Sequence, residues 1–312
     1  MGSHLIESQQ ISKELLLSFF KRADKLRENQ EETLKGKILT SLFYEPSTRT
    51  RLSFESAMNR LGGSVMGTEN ANEFSSVSKG ESLIDTIRII AGYSDVIVMR
   101  TKEEGQARKA SKVSSVPIIN AGDGKGQHPT QTILDMYTIY REIKHLDNLK
   151  IAMVGDLASG RTIRSLCYLL GKFEGIQITF VSPPNLRIEE DIKEYLEKHN
   201  VIFREEENLE EVLPICDIIY MTRIQQERIS LEDYEKAKGR FIIDEFNIHL
   251  IRQDARVLHP LPHVEEIDLS LETENSDPRI AYFRQAENGL YARMAILEWA
   301  INDSKKNYEN QS

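Results

Sequence analysis

The chain has 312 residues, long for one domain and ample for two of ordinary size. Apolar residues make up 40% and charged residues 29%, so it can bury real cores beneath a solvated surface, and general disorder is excluded. A formal net charge of -9 argues against a general nucleic-acid binder and requires any anion to be met by a local cluster of cations.

Helix and strand patterns alternate along the chain. Residues 12–29 form an amphipathic pattern with Ser12 as its cap. A short apolar run at 37–44 predicts a strand, and residues 49–61 return to helical period before the stop signal Gly62-Gly63. Residues 82–93 predict a helix, 95–100 and 116–121 strands, and 129–143 a helix with Pro129 in its first turn. A second series starts with a buried strand at 149–157 and a helix from Arg161. Strand 176–182, helix 189–199, strand 216–222, the short strands 239–243 and 255–259, and a closing helix at 288–303 follow. Such alternation predicts an α/β protein of two three-layer domains, each a mainly parallel sheet with helices on both faces. The expected domains are 1–138, with the C-terminal helix 286–312 packing back on it, and 139–285.

Cys167 and Cys216 lie in apolar runs and read as buried thiols of a reducing compartment. With no CxxC pair, no signal peptide and no apolar run of membrane-spanning length, the expectation is a cytoplasmic protein without a structural zinc site.

In parallel sheets sites form beyond the carboxyl ends of the strands, and the unusual chemistry falls in those segments. Ser47, Thr48, Arg49 and Thr50 follow the first strand and open a helix, where unpaired N–H groups and the helix dipole favour an anion. The hydroxyls and the planar Arg49 fork add donors, as a phosphate site without a glycine-rich loop requires. The same segment can be read as a Ser47 cap beside surface arginines; five such residues in succession favour the anion site. His128 stands just before a helix with Gln131 three residues on, a placement that suits either a cap or a neutral imidazole used in chemistry. Arg161 opens a helix after a buried strand, and Arg223 and Gln225 follow another. Singly each arginine reads as solvated; together they fit a clamp for a dicarboxylate, since guanidinium binds carboxylate bidentately. The segment 122–126, "GDGKG", lacks the spacing of a nucleotide loop and reads as a turn. No His/Asp/Glu set has metal spacing, and the two cysteines, lying in apolar runs, do not indicate a covalent nucleophile.

Taken together, "FYEPSTRTRLSFE", "KGESLIDT", "INAGDGKGQHPTQTILD", "VGDLASGRT", "YMTRIQQER" and "HPLP" resemble the aspartate/ornithine carbamoyltransferase family, in its order and at its spacing, from about Leu34 to the final helix. The resemblance implies transfer of a carbamoyl group from carbamoyl phosphate to the amino group of L-aspartate, in pyrimidine synthesis. It implies that Ser47, Thr48, Arg49 and Thr50 hold the phosphate and that Arg100 bridges phosphate and carbonyl. Thr50, Arg100 and His128 would polarise the carbonyl, with Gln131 beside them, and Leu261 and Pro262 would face the carbamoyl group. Arg161, Arg223 and Gln225 would take the aspartate carboxylates. Ser75 and Lys79 would reach into the site of a neighbouring subunit, which makes the active form a homotrimer; the family also associates with regulatory or dihydroorotase subunits. Carbamoyl phosphate is already activated, so no cofactor or metal is implied. The chain departs from the family pattern at His263, where arginine is usual, at Ala158 and Ser159, where lysine and tyrosine are usual, and in "RTKEEGQA", where histidine-proline is usual after the arginine. Pro260 stands where the ornithine-using branch carries a cysteine.

Overall fold

The computed structural model describes residues 4–69, 80–225 and 230–309. It divides into two compact units, residues 1–134 with 288–312, and residues 135–287.

The first unit opens with α1 (Lys13–Glu28), whose start is fixed by the Ser12 hydroxyl accepting the Leu15 N–H at 3.1 Å. It continues through β1 (Ile38–Phe43), α2 (Thr48–Arg60), β2 (Ser64–Glu69), α3 (Leu83–Ala91), β3 (Val96–Thr101), α4 (Gln106–Ser111) and β4 (Ile118–Asp123), and enters α5 (Pro129–Ile143). The four strands form a parallel sheet in the order β2-β1-β3-β4. Leu42, Ile97, Met99 and Ile118 pack with Ile87, Ala91, Ala107 and Ala110 of α3 and α4. The alternate residues Leu39, Phe43 and Val98 are buried on the opposite face. A sheet covered on both faces explains why these strands read as unbroken apolar runs.

The second unit contains the rest of α5, then β5 (Lys150–Val154), α6 (Arg161–Leu170), β6 (Gln177–Val181), α7 (Glu190–Lys198), β7 (Ile202–Glu206) and β8 (Ile218–Met221). After these come α8 (Leu231–Ala237), β9 (Ile243–Asp244), β10 (Arg256–Leu258), β11 (Ile267–Asp268), α9 (Leu271–Ser276) and the start of α10 (Tyr282–Glu309). Its sheet is parallel, ordered β10-β8-β5-β6-β7, with β9 and β11 paired separately. One core cluster joins Ala152, Val154, Ile219, Met221 and Val257 of the strands to Val212, Leu213, Phe241 and Tyr282.

The fold is the expected pair of parallel-sheet α/β units. The closing helix begins at Tyr282 rather than at 288 and runs straight through Gly289. A Cβ at Gly289 would come within 2.4 Å of Arg293 Nη1 and 3.1 Å of a Leu134 methyl carbon, so this glycine is a packing residue and not a terminator. Strand β7 and the short helices α4, α8 and α9 were not expected, because their alternating polar residues or brevity leave no clear period. Both cysteines are free and buried; burial raises the Cys216 thiol to about 11 and the Cys167 thiol further, so both are inert thiols. Among the described residues no helix is long and apolar enough to cross a membrane, and no group of three His, Cys, Asp or Glu could hold a metal ion.

Candidate active site

Register decides which residues each unit collects at its sheet edge. In the first sheet Phe43 of β1 lies opposite Arg100 of β3, and Thr101 opposite Asp123 of β4. The three strands therefore end at one edge, and 44–51, Arg100 and 124–131 all leave from it. Arg100 donates to the Ser47 hydroxyl at 3.1 Å and to the Glu45 carboxylate at 3.1 Å, so strand end and helix start are tied by one guanidinium. Ser47 occupies the cap position of α2, yet its side chain makes no capping bond. The first intrahelical bond runs from Arg51 N–H to Ser47 O, so the N–H groups of Thr48, Arg49 and Thr50 are ones the helix cannot pair itself. Thr50 is buried, while Thr48 and Arg49 face solvent. The Arg49 guanidinium is held below its ordinary pKa, by partial burial and then by the like charge of Arg100. Two guanidiniums that repel each other beside a helix N-terminus form a place that a doubly charged anion would relieve.

At the third strand end, the Asp123 carboxylate accepts the N–H groups of Gly105 at 3.0 Å and Gln127 at 2.9 Å and folds 124–126 into the expected turn. That turn delivers His128, buried, to the start of α5, where Nδ1 lies 3.3 Å from the Thr130 hydroxyl. The His128 carbonyl accepts from Gln131 N–H at 3.0 Å, which sets Gln131 one turn along the same helix start. Ser47, Thr48, Arg49, Thr50, Arg100, His128 and Gln131 thus share one sheet edge in the first unit. Ser75 and Lys79 lie outside the described residues.

The second unit repeats the device. Val154 of β5 lies opposite Met221 of β8, and Tyr220 of β8 opposite Leu258 of β10, so three neighbouring strands end together. Gly155 follows β5 at φ +114, where a Cβ would lie 2.1 Å from the Thr222 carbonyl; only glycine lets these two strand ends approach. Asp156, fully buried, accepts Ser159 N–H at 2.8 Å and shapes the turn into α6, whose first residue is the buried Arg161. Thr222 donates to the Val154 carbonyl through both its N–H (2.9 Å) and its hydroxyl (2.8 Å), fixing the start of the segment that carries the half-buried Arg223 and Gln225. Leu261 and Pro262 follow β10; Leu261 has φ +55 and its bond to Pro262 is cis. Arg161, Arg223, Gln225, Leu261 and Pro262 therefore share one sheet edge in the second unit.

Residues 3–141 match the carbamoyl-P binding domain of aspartate/ornithine carbamoyltransferases, and residues 147–300 match their Asp/Orn binding domain. The chain belongs to the aspartate/ornithine carbamoyltransferase family. Chloroplastic aspartate carbamoyltransferase of Arabidopsis thaliana is 52% identical over 95% of this chain and 77% of its own. The catalytic subunit of M. jannaschii aspartate transcarbamoylase superposes with a TM-score of 0.89 at 49% identity, covering 97% of this chain and 99% of that one. The Trypanosoma cruzi aspartate transcarbamoylase in complex with carbamoyl phosphate and aspartate superposes at 0.88, with 38% identity over 95% and 94% of the two chains.

Within this carbamoyltransferase the departures at Ala158, Ser159 and His263 occupy distinct settings. Ala158 and Ser159 sit in the turn before α6, where Ala158 N–H donates to Leu186 O at 3.2 Å. His263 lies with Nε2 3.2 Å from Glu274 and its ring 5.2 Å from that of Tyr282. Sequence reasoning missed Glu45, the partner of Arg100, and a buried polar chain beneath the Leu261 segment. In that chain Tyr220 and Gln285 donate to Asp135 at 2.7 and 2.6 Å, and Gln285 accepts from His259 N–H at 2.8 Å. Asp135 on the helix "TILDMYT" was the available signal: a carboxylate among apolar residues, fully buried, needs donors.

Proposed function

We propose that this chain transfers the carbamoyl group of carbamoyl phosphate to the amino group of L-aspartate, giving N-carbamoyl-L-aspartate and phosphate on the route to pyrimidine nucleotides. The observation that carries the reading is the meeting of the Ser47–Thr50 helix start, Arg100 and His128 at one sheet edge of a family member. In this reading Ser47, Thr48, Arg49, Thr50 and Arg100 bind the phosphate. Thr50, Arg100 and His128 hold the carbonyl oxygen, with Gln131 beside them, and Leu261 and Pro262 meet the carbamoyl nitrogen. Arg161, Arg223 and Gln225 bind the two carboxylates.

The neutral amine attacks the carbonyl carbon, a C–N bond forms, and charge gathers on the carbonyl oxygen, where preorganised donors act most strongly. The C–O bond to phosphate then breaks. The phosphate leaves with the bond's electron pair and can accept the amine proton. A buried His128 at a helix start, beside the Thr130 hydroxyl, suits a donor to that oxygen. The domain division, carbamoyl phosphate on the first unit and aspartate on the second, is part of the proposal. So are a homotrimer completed by a neighbour's Ser75 and Lys79, association with further subunits, and a cytoplasmic location, although plant relatives are named chloroplastic.

The test is product formation from carbamoyl phosphate with L-aspartate or L-ornithine, side by side. Turnover with aspartate alone supports the reading. Turnover with ornithine alone overturns the roles given to Arg161, Arg223 and Gln225, and binding of carbamoyl phosphate without turnover points to a non-catalytic role.

A further inference from the structure

Beneath the Pro260–Pro262 segment lies a buried imidazole that the reaction as drawn does not use. His259, Glu266, Gln285, Asp135 and Tyr220 are all buried, and together they form one hydrogen-bonded chain within the second unit. Its last members grip the segment itself. The Leu261 N–H donates to His259 Nδ1 at 2.7 Å, and His259 Nε2 lies 2.8 Å from Glu266 Oε1. The same carboxylate oxygen accepts the Val264 N–H at 3.2 Å. One imidazole and one carboxylate thus hold the segment at Leu261 and at Val264.

These bonds assign the imidazole's protons. A backbone N–H can only donate, so Nδ1 must be bare. The ring proton then sits on Nε2 and points at Glu266. Glu266 Oε1 receives both this ring N–H and the Val264 N–H, so the carboxylate acts as an acceptor towards each. A proton on Nδ1 would confront the Leu261 N–H and release it.

Leu261 is a leucine at φ +55, a conformation that L side chains adopt at an energetic cost and keep only when neighbours impose it. The bond to His259 is such a constraint. The Pro260–Leu261 peptide is trans and planar, so fixing its N–H on the imidazole turns the Pro260 carbonyl to the opposite side. With that plane and φ fixed, the Leu261 carbonyl carbon is placed, and anchoring Val264 on Glu266 restrains the remaining rotation that aims its oxygen. A buried polar chain with two carboxylates is costly, its Glu266 Oε2 has no hydrogen-bond partner among the described residues, and the bonds it does make end at the segment assigned to the substrate.

We propose that His259, locked by Glu266 in its Nε2–H form, is a positioning residue that aims the backbone carbonyls of Pro260 and Leu261 at the carbamoyl group. This rests on the carbamoyl-transfer reading, and the measurements below separate the two. In histidine-15N-labelled full-length protein, with the His259→Asn spectrum as the assignment reference, His259 should show a bare Nδ1 and a protonated Nε2 from about pH 6 to about pH 8, where free imidazole changes charge. A proton on Nδ1 in that window overturns the proposal, whether or not the enzyme turns over. The second measurement compares two variants. In His259→Asn the amide oxygen takes the place of Nδ1 and still accepts from Leu261; in His259→Gln the amide reaches only the place of Nε2. If positioning matters, His259→Gln should lose on the order of 10²-fold in kcat, the cost of a misplaced group. His259→Asn should stay within about tenfold of the parent, while half-saturation for aspartate moves little in either. Equal losses in both variants, tracking equal losses in thermal stability, would reduce His259 to a structural role and overturn the proposal. A parent protein without carbamoyl transfer would count against the function, and the nitrogen spectrum would still decide whether the imidazole holds Leu261.

Discussion

In the first unit the candidate donors are nearly contiguous: Ser47 to Thr50 share a helix start, and Arg100 is bonded to that start directly. The second unit assembles Arg161, Arg223, Gln225 and Leu261 from three separate strand ends, through a glycine contact at Gly155, the Thr222 bonds to Val154, and the buried chain under Leu261. The contrast matches the two ligands assigned to them. A phosphate is compact and is satisfied by N–H groups and hydroxyls of one turn. An amino acid with two carboxylates needs donors spaced by its own length, which no single turn supplies.

The sharpest way to break this comparison is to remove the one side chain that ties the compact half together. Arg100→Ala should lower kcat/KM for carbamoyl phosphate on the order of 10³-fold, because the guanidinium orders Ser47 and, in the proposed reading, faces the developing charge. A loss under tenfold in steady-state kinetics would mean that the helix start works without it. In the dispersed half a single substitution should cost less and fall on one substrate. Arg223→Lys keeps the charge and loses the fork, so half-saturation for aspartate should rise roughly ten- to a hundredfold, the worth of one charge-assisted bond, while that for carbamoyl phosphate stays nearly constant. Equal shifts for both substrates would refute the division of labour.

The same contrast explains what was legible in the sequence. Ser47 to Thr50 could be read as a helix start after an apolar strand, although the same run suits a cap as well as an anion site. The strands could be read where burial on both faces makes them uniformly apolar, as in β3 and β8, and not where an edge strand such as β7 is half polar. Arg161 and Arg223 were visible as residues, but their common edge depends on the pairing of Val154 with Met221, which no local pattern encodes. His259 and Glu266 were invisible as a pair. Their bond depends on a tight return of the chain around Leu261, and a histidine before a proline carries no signal of its own.

A dispersed site should also depend more on remote ion pairs. Glu142 on α5 accepts from Arg256 of β10 at 2.9 Å and from Arg284 of α10 at 2.8 Å, clamping the strand that leads into His259. Burial raises the Glu142 pKa, but the bonds from Arg284 and then Arg256 prevail and hold it below its usual value of 4.5. The clamp therefore contributes fully above pH 4.5 and is lost as pH falls through the lower folded value. Glu142→Gln should cost about 1–2 kcal/mol at neutral pH, read from chemical denaturation, and the gap to the parent should close in acid. A gap that persists undiminished below that range would show that shape, and not charge, holds β10.

The smallest expected effect lies at His263, next to Pro262. Its Nε2 shares the Glu274 carboxylate with the Tyr282 hydroxyl, and burial together with Glu274 holds that phenol well above its ordinary pKa, so Tyr282 remains a donor at any working pH. An arginine here, as is usual in the family, would bring a permanent charge and a planar fork, compete with Tyr282 for Glu274, and reach beyond it. Because Glu274 is already satisfied, the exchange is close to balanced, and the consequence should be local to the segment that ends at Pro262. His263→Arg should shift half-saturation for aspartate by roughly two- to fivefold, the scale of a partly exposed ion pair, and leave that for carbamoyl phosphate unchanged. An unaltered aspartate profile would mean that the segment is set from beneath, by His259 and Glu266, and is indifferent to what flanks it.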